Sequence, residues 1–132
     1  MSKIIGSGNF KYEALETWEH LPNGLNLVES PGVAVNQNDE VFVLTRNTQH
    51  PVIVFAQDGQ FLRSFGEGTF SARTHGLSIG PDGTLLCVDD GMHSITHWTQ
   101  QGELLNTFGG TASTKWSGDP FNRPTHATIS PN

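Results

Sequence analysis

The sequence predicts an all-β chain built from antiparallel four-stranded meanders that repeat as the blades of a β-propeller, and three observations carry that reading. Residues 50 to 66, HPVIVFAQDGQFLRSFG, recur at 93 to 109 as HSITHWTQQGELLNTFG with a shift of 43, and residues 32 to 46 recur at 76 to 90 with a shift of 44. Each copy holds four short β-type runs separated by turn signals. Fifteen Gly and seven Pro against two Met describe many turns and few helices. A period of roughly 20 to 50 residues decides architecture before single strands do, and four strands per period indicate a propeller blade.

The elements follow in order. Residues 1–9 read as an N-terminal extension, and 10–18, FKYEALETW, as the outermost strand of a further blade. The first blade spans 32–66, with runs at 32–36, 40–46, 51–57 and 60–66, and the second spans 76–109. Their second strands, VFVL and LLCV, are apolar throughout, as expected when both faces of a sheet are covered. Residues 121–132 begin a further blade, with Ile129, Pro131 and Asn132 aligned on Ile79, Pro81 and Asp82 at a shift of 50. The smallest propellers need about 160 residues, and 132 residues encode about two and a half blades. Open blades expose apolar faces and unpaired edges. The expectation is therefore either the front part of a longer protein or self-association of copies.

Composition excludes some partners. At 35% hydrophobic content the chain has enough for one core. A net charge of −6 with seven Lys and Arg provides no basic stripe, so neither nucleic acid nor a membrane surface is an expected partner. No run approaches the ~20 apolar residues of a membrane span. The single Cys87 rules out an internal disulfide and fits a reducing, cytoplasmic setting.

Meander topology sorts the loops onto two faces. The tight hairpins NQND, QDGQ, GPDG and QQGE share one face and carry ordinary turn residues. The other face gathers Arg46 to His50, Asp89 to His93, His75, and Arg123 to His126 around one channel mouth. Imidazole with carboxylate suits zinc, whereas a loop histidine more simply meets solvent or a backbone carbonyl. Both readings stay open for His75 and His126, which enter inner strands and can reach the channel. His50 and His93 keep the simpler reading beside a possible channel-lining place. Asp89 and Asp90 can cap turns or accept from Arg. Arg46 can fork onto a substrate carboxylate or onto an acidic side chain. Cys87, in an apolar strand, reads as core, and His20 and His97 belong to no constellation.

At these residues a family resemblance appears. VFVLTRNTQHPVIVFAQDGQFLRSFGEGTF, followed by RTHGLSIGPDG, DDGMHSI and FNRPTHATISPN, resembles NHL repeats, and their order is similar to the N-terminal part of bacterial relatives of peptidyl-α-hydroxyglycine amidating lyase. The resemblance covers nearly the whole chain from about residue 10. It implies a six-bladed propeller with a channel zinc held by three histidines, of which His75 matches the first. It also implies that Arg46 orients substrate, and that Val33 and Leu77 offer backbone carbonyls to a structural calcium. The other two zinc histidines, the catalytic tyrosine and the calcium aspartate of that family have no counterpart here. His126 stands where the characterised lyases have Asp, while bacterial relatives often have His. With one matched imidazole, where a catalytic zinc takes three protein ligands and water, the isolated chain is not expected to cleave hydroxyglycine.

Overall fold

The computed structural model describes residues 3–110 and 119–131. Asn132, aligned above on Asp82, and the first two residues of the extension lie outside them. The described residues form ten strands and no helix. A hairpin of β1 (Ile4–Ser7) and β2 (Phe10–Glu13) makes a two-stranded sheet. The first blade contains β3 (Gly32–Val35), β4 (Val41–Leu44), β5 (Val52–Phe55) and β6 (Phe61–Phe65), and the second contains β7 (Thr74–Ile79), β8 (Leu85–Asp89), β9 (Ser94–Trp98) and β10 (Leu104–Gly109). In each blade the sheet order follows the chain order and neighbouring strands pair antiparallel. The repeat therefore gives the all-β meander it predicts.

Short polar side chains set the turns that fix these registers. Asn36 Oδ1 accepts from the backbone N–H of Asn38 and of Glu40, at 2.9 Å each, before β4. Asp58 Oδ1 accepts from Gln60 N, and Asp82 Oδ1 from Thr84 N. Asx turns of this kind reverse the chain within a few residues. Because register is fixed, alternate residues reach opposite faces of each blade.

The blades stack face to face. Phe42, Leu44, Val52 and Val54 of the first meet Leu77, Leu85, Cys87 and Trp98 of the second, with Phe70 from the connecting loop. Each fully buried side chain of this size stabilises the fold by about 1.5–3 kcal/mol. Phe65 and Phe70 both pack on Trp98, with ring centroids 5.6 and 5.8 Å apart. At the tight-turn end the stack is tied by polar groups. Arg63 donates to Glu40 and to Gln100 O, and Asn36 Nδ2 donates to Glu40 and Gln100 side chains.

Part of the opposite face of the first blade is covered, which narrows the expectation of exposed apolar faces. Val43, Ile53 and Phe55 are covered by Trp18, Leu21, Leu25 and Leu27 from the segment leading into β3. The run 10–18, expected as one strand, is a strand only over Phe10–Glu13, which pairs with Ile4–Ser7. The physical reason is the turn at Gly8, where φ is +58°, a conformation that suits glycine and lets the preceding residues fold back as partner. Beyond Glu13 the chain leaves the sheet and lays Trp18 on Phe55, 5.5 Å between centroids.

Candidate functional site

Three inner segments converge on one open cavity. β3, β7 and residues 125–129 lie side by side, and backbone closeness decides which residues fit there. A Cβ on Gly32 would sit 2.9 Å from Leu77 N, and one on Gly76 would sit 2.6 Å from Thr125 O. Ser78 Oγ donates to Ala127 O at 2.7 Å, which holds the third segment along β7. The cavity, about 430 Å³, is lined by His75 and His126 together with Val33, Leu77, Gly32 and Gly76. His75 is the extra residue of a β-bulge between Thr74 and Gly76 in the β7–β8 ladder. Such a bulge re-aims a side chain out of the regular alternation. The His126 ring lies over Gly76, its Nδ1 within 3.2 Å of where a Cβ would be.

The donor set at this cavity is two imidazoles without a carboxylate. Among the described residues no three of His, Cys, Asp and Glu gather into a metal-holding group. The zinc that the resemblance implies takes three protein ligands, so the described residues alone do not fit it. Val33 and Leu77 both line the cavity, on adjacent inner strands.

Around the rim, the charged residues after the second strand of each blade bond to the entrances of two blades. Arg46 pairs with Glu29 at its own blade's entrance, and its Nε donates to Thr74 O at the next. Asp90 accepts from Arg73 Nε and Nη2 at 2.7 and 2.8 Å at its own entrance, and from Arg123 Nη2 at 3.1 Å at the next. Positions 46 and 90 correspond under the repeat, as do 29 and 73, and the charges are exchanged between them. The same latch is thus built twice with opposite polarity. Burial pushes the Asp90 carboxyl up, but the bonds and charges of Arg73 and Arg123 outweigh it and hold the group below the usual carboxylate range.

The remaining polar residues have structural partners. His93 is buried, and its Nδ1 accepts from Arg123 N at 3.1 Å, which leaves the neutral ring's proton on Nε2. His50 Nδ1 lies 2.8 Å from Ser64 Oγ on the outer strand β6. Asp89 caps its turn, accepting from Ser71 N and Oγ and from Gly91 and Met92 N. Cys87 is fully buried in the interblade core, and burial pushes its thiol up, away from the reactive thiolate. The structure therefore brings His75 and His126 together, puts Arg46, Asp90 and His93 in rim contacts, and turns His50 outward. Glu29, Arg73 and Thr74 complete the rim and escaped sequence reading. The signal for the first two was their opposite charge at a spacing of 44 from each other, matching the exchange between Arg46 and Asp90.

Stacked four-stranded meanders with inner strands around a common cavity define part of a β-propeller. The comparisons agree at that level. Virginiamycin B lyase from Staphylococcus aureus, a β-propeller, superposes with a TM-score of 0.52 at 17% identity, over 63% of this chain and 27% of the lyase. A catalytically inactive variant of that enzyme, crystallised with quinupristin, superposes with a TM-score of 0.51 at 18% identity, over 63% of this chain and 28% of the variant. Identity this low shows the fold alone. The Drosophila melanogaster protein Brain tumor, an NHL-repeat protein, is 25% identical over 107 residues, covering 77% of this chain. The chain spans about a quarter of the lyase and 10% of Brain tumor. No protein-family model matches the chain. No helix among the described residues is long and apolar enough to cross a membrane.

Proposed function

We propose that this chain supplies leading blades of a closed NHL-type propeller related to the zinc-dependent peptidyl-α-hydroxyglycine amidating lyases, with a channel mouth that is not catalytic in the isolated chain. The observation that supports the reading is the pair His75, on β7, and His126, on the segment beside it, lining one cavity. Closure needs further blades, from the same polypeptide or from another copy, and the same blades would supply the zinc ligands that are missing here. When bound, zinc would polarise a substrate oxygen as a Lewis acid. His75 would be a ligand, and His126 would line the approach. Val33 and Leu77 carbonyls would serve a calcium on the same strands. Arg46 would meet a substrate carboxylate only after leaving Glu29. Neither nucleic acid nor membrane is a proposed partner, and a reducing, cytoplasmic setting suits Cys87.

The Arg46–Glu29 pair favours a second reading. With its one candidate substrate-orienting arginine already neutralised, the propeller would be a non-catalytic scaffold that binds a small polar ligand or a protein partner. Metal analysis on the purified chain, with its mass measured on the same sample, separates the two. Where the mass shows a closed assembly, the lyase-related reading expects near-stoichiometric zinc that disappears in His75→Ala while the β circular-dichroism signal stays. A closed assembly that stays zinc-free in the presence of added metal would sink it and leave the scaffold.

A further inference from the structure

We infer that Thr74 is a positioning residue for His75: its buried hydroxyl, bonded across the joint between blades, fixes the imidazole at the channel cavity. That role deepens the channel-mouth reading above and rests on it for what the imidazole serves.

His75 is skipped by the sheet that carries it. Thr74, Gly76, Leu77, Ser78 and Ile79 all have partners on β8, and His75 lies between two of them without one. A bulged residue is left unpaired, so the ladder does not fix its backbone angles. Its direction depends on how firmly its two neighbours are held.

Both neighbours are held, and by different parts of the molecule. Thr74 is fully buried, and its Oγ1 donates at 2.7 Å to the carbonyl of Thr45, the residue after β4. The acceptor is itself anchored. Thr45 is fully buried, its N–H donates to Pro51 O at 2.7 Å, and its Oγ1 donates to His50 O at 2.8 Å. Arg46 Nε adds a longer contact of 3.4 Å to Thr74 O. On the other side, Gly76 lies against Thr125 and His126 with no room for a Cβ. Threonine suits the first place because its branched Cβ restricts χ1, so one bond to the hydroxyl fixes side chain and backbone together.

Comparison of the repeats ties the hydroxyl to the histidine. In the first blade the counterparts of Thr74 and His75 are Ser30 and Pro31. Ser30 is exposed there, and the β3–β4 ladder runs from Gly32 opposite Leu44 without a shift. In the third segment the counterparts are Pro124 and Thr125, and proline has no hydroxyl to donate. Among the described residues, bulge, buried hydroxyl and the histidine beside it coincide only in the second blade. Contacts that orient a ligating histidine from behind are worth about 10–100-fold in affinity or activity. Thr74 belongs to the site on that scale, although its hydroxyl is engaged in the joint.

The imidazole ring reports the outcome directly. Proton–nitrogen correlation spectra of the histidine rings in the full chain, with His75 assigned through His75→Ala, give the test. Thr74→Val keeps the shape and removes the hydroxyl. It should shift or split the His75 ring signals and leave those of His20 and His97, whose partners Gln60 and Thr84 lie at the tight-turn end. Thr74→Ser should restore the wild-type His75 signals. Unmoved His75 signals in folded Thr74→Val overturn the role, and so does a shift that Thr74→Ser shares, because the hydroxyl is then not what acts. Should Thr74→Val fail to fold, Thr74→Ala leaves room for a water at Thr45 O and is read by the same two criteria. The spectra need no metal. A closed assembly without zinc would sink the lyase-related reading and leave the positioning standing, whereas unmoved ring signals would sink the positioning and leave the metal test as it is.

Discussion

At Asp90, burial and charge pull in opposite directions. The side chain is 8% exposed, yet three bonds from Arg73 and Arg123 keep its carboxyl below the unfolded value of about 3.9. A group depressed in the fold contributes stability that is present above its unfolded pKa and lost as pH falls through the folded one. Asp90→Asn should therefore cost about 2 kcal/mol in urea unfolding at neutral pH. The gap between wild type and variant should shrink as pH drops below about 3.9. A gap of constant size down to acid pH would mean that the charge is not what the latch uses. The resemblance pointed to Arg46 and His75 by motif, and of the two only His75 lines the cavity. The ionic partner of Arg46 was not legible, because Glu29 and Arg46 meet across a loop and no periodic pattern joins them. Asp90 with Arg73 had the same obstacle, and only the exchange of signs between repeats links the two pairs.

Blades were the most legible elements, because alternation, turn residues and a fixed period all agree there. The observed strands end within a few residues of the predicted runs, as Val41–Leu44 does inside 40–46. Less legible was the covering segment. Trp18 packs on Phe55 as Phe65 packs on Trp98, but Leu21 and Leu25 have no counterpart in the repeat, so their place in that cluster depends on tertiary packing alone. The interblade joint makes a direct prediction. Gly102 has φ +94°, and a Cβ there would meet Phe65 at 2.7 Å, whereas Gly83 has φ +79° and meets only the end of Gln100 at 3.4 Å. Both alanine substitutions carry the left-handed strain of about 1–2 kcal/mol. Gly102→Ala should lose more than Gly83→Ala in thermal or urea unfolding, and the difference measures the joint. Equal losses would show that the blades shift apart at little cost. Trp98→Ala, which empties the same joint, should cost about 3–5 kcal/mol.

For the molecule as a whole, the site and the assembly are coupled on the proposed reading. One copy brings one zinc ligand, His75, to the channel on that reading, and a zinc with three protein ligands would take the others from further blades. Any ligand that binds the closed form better than the open one shifts the equilibrium toward closure, and closure raises affinity for that ligand by the same factor. Chelation should therefore weaken self-association, and dilution below the association range should release zinc. Sedimentation across a concentration series, with and without chelator, reads both sides of this linkage. A tenfold change in zinc affinity on closure would appear as a tenfold change in the apparent dissociation constant of the copies, about 1.4 kcal/mol. An assembly constant unmoved by chelator, in a protein that still binds zinc, would place the metal away from the shared channel and separate the two halves of the proposal.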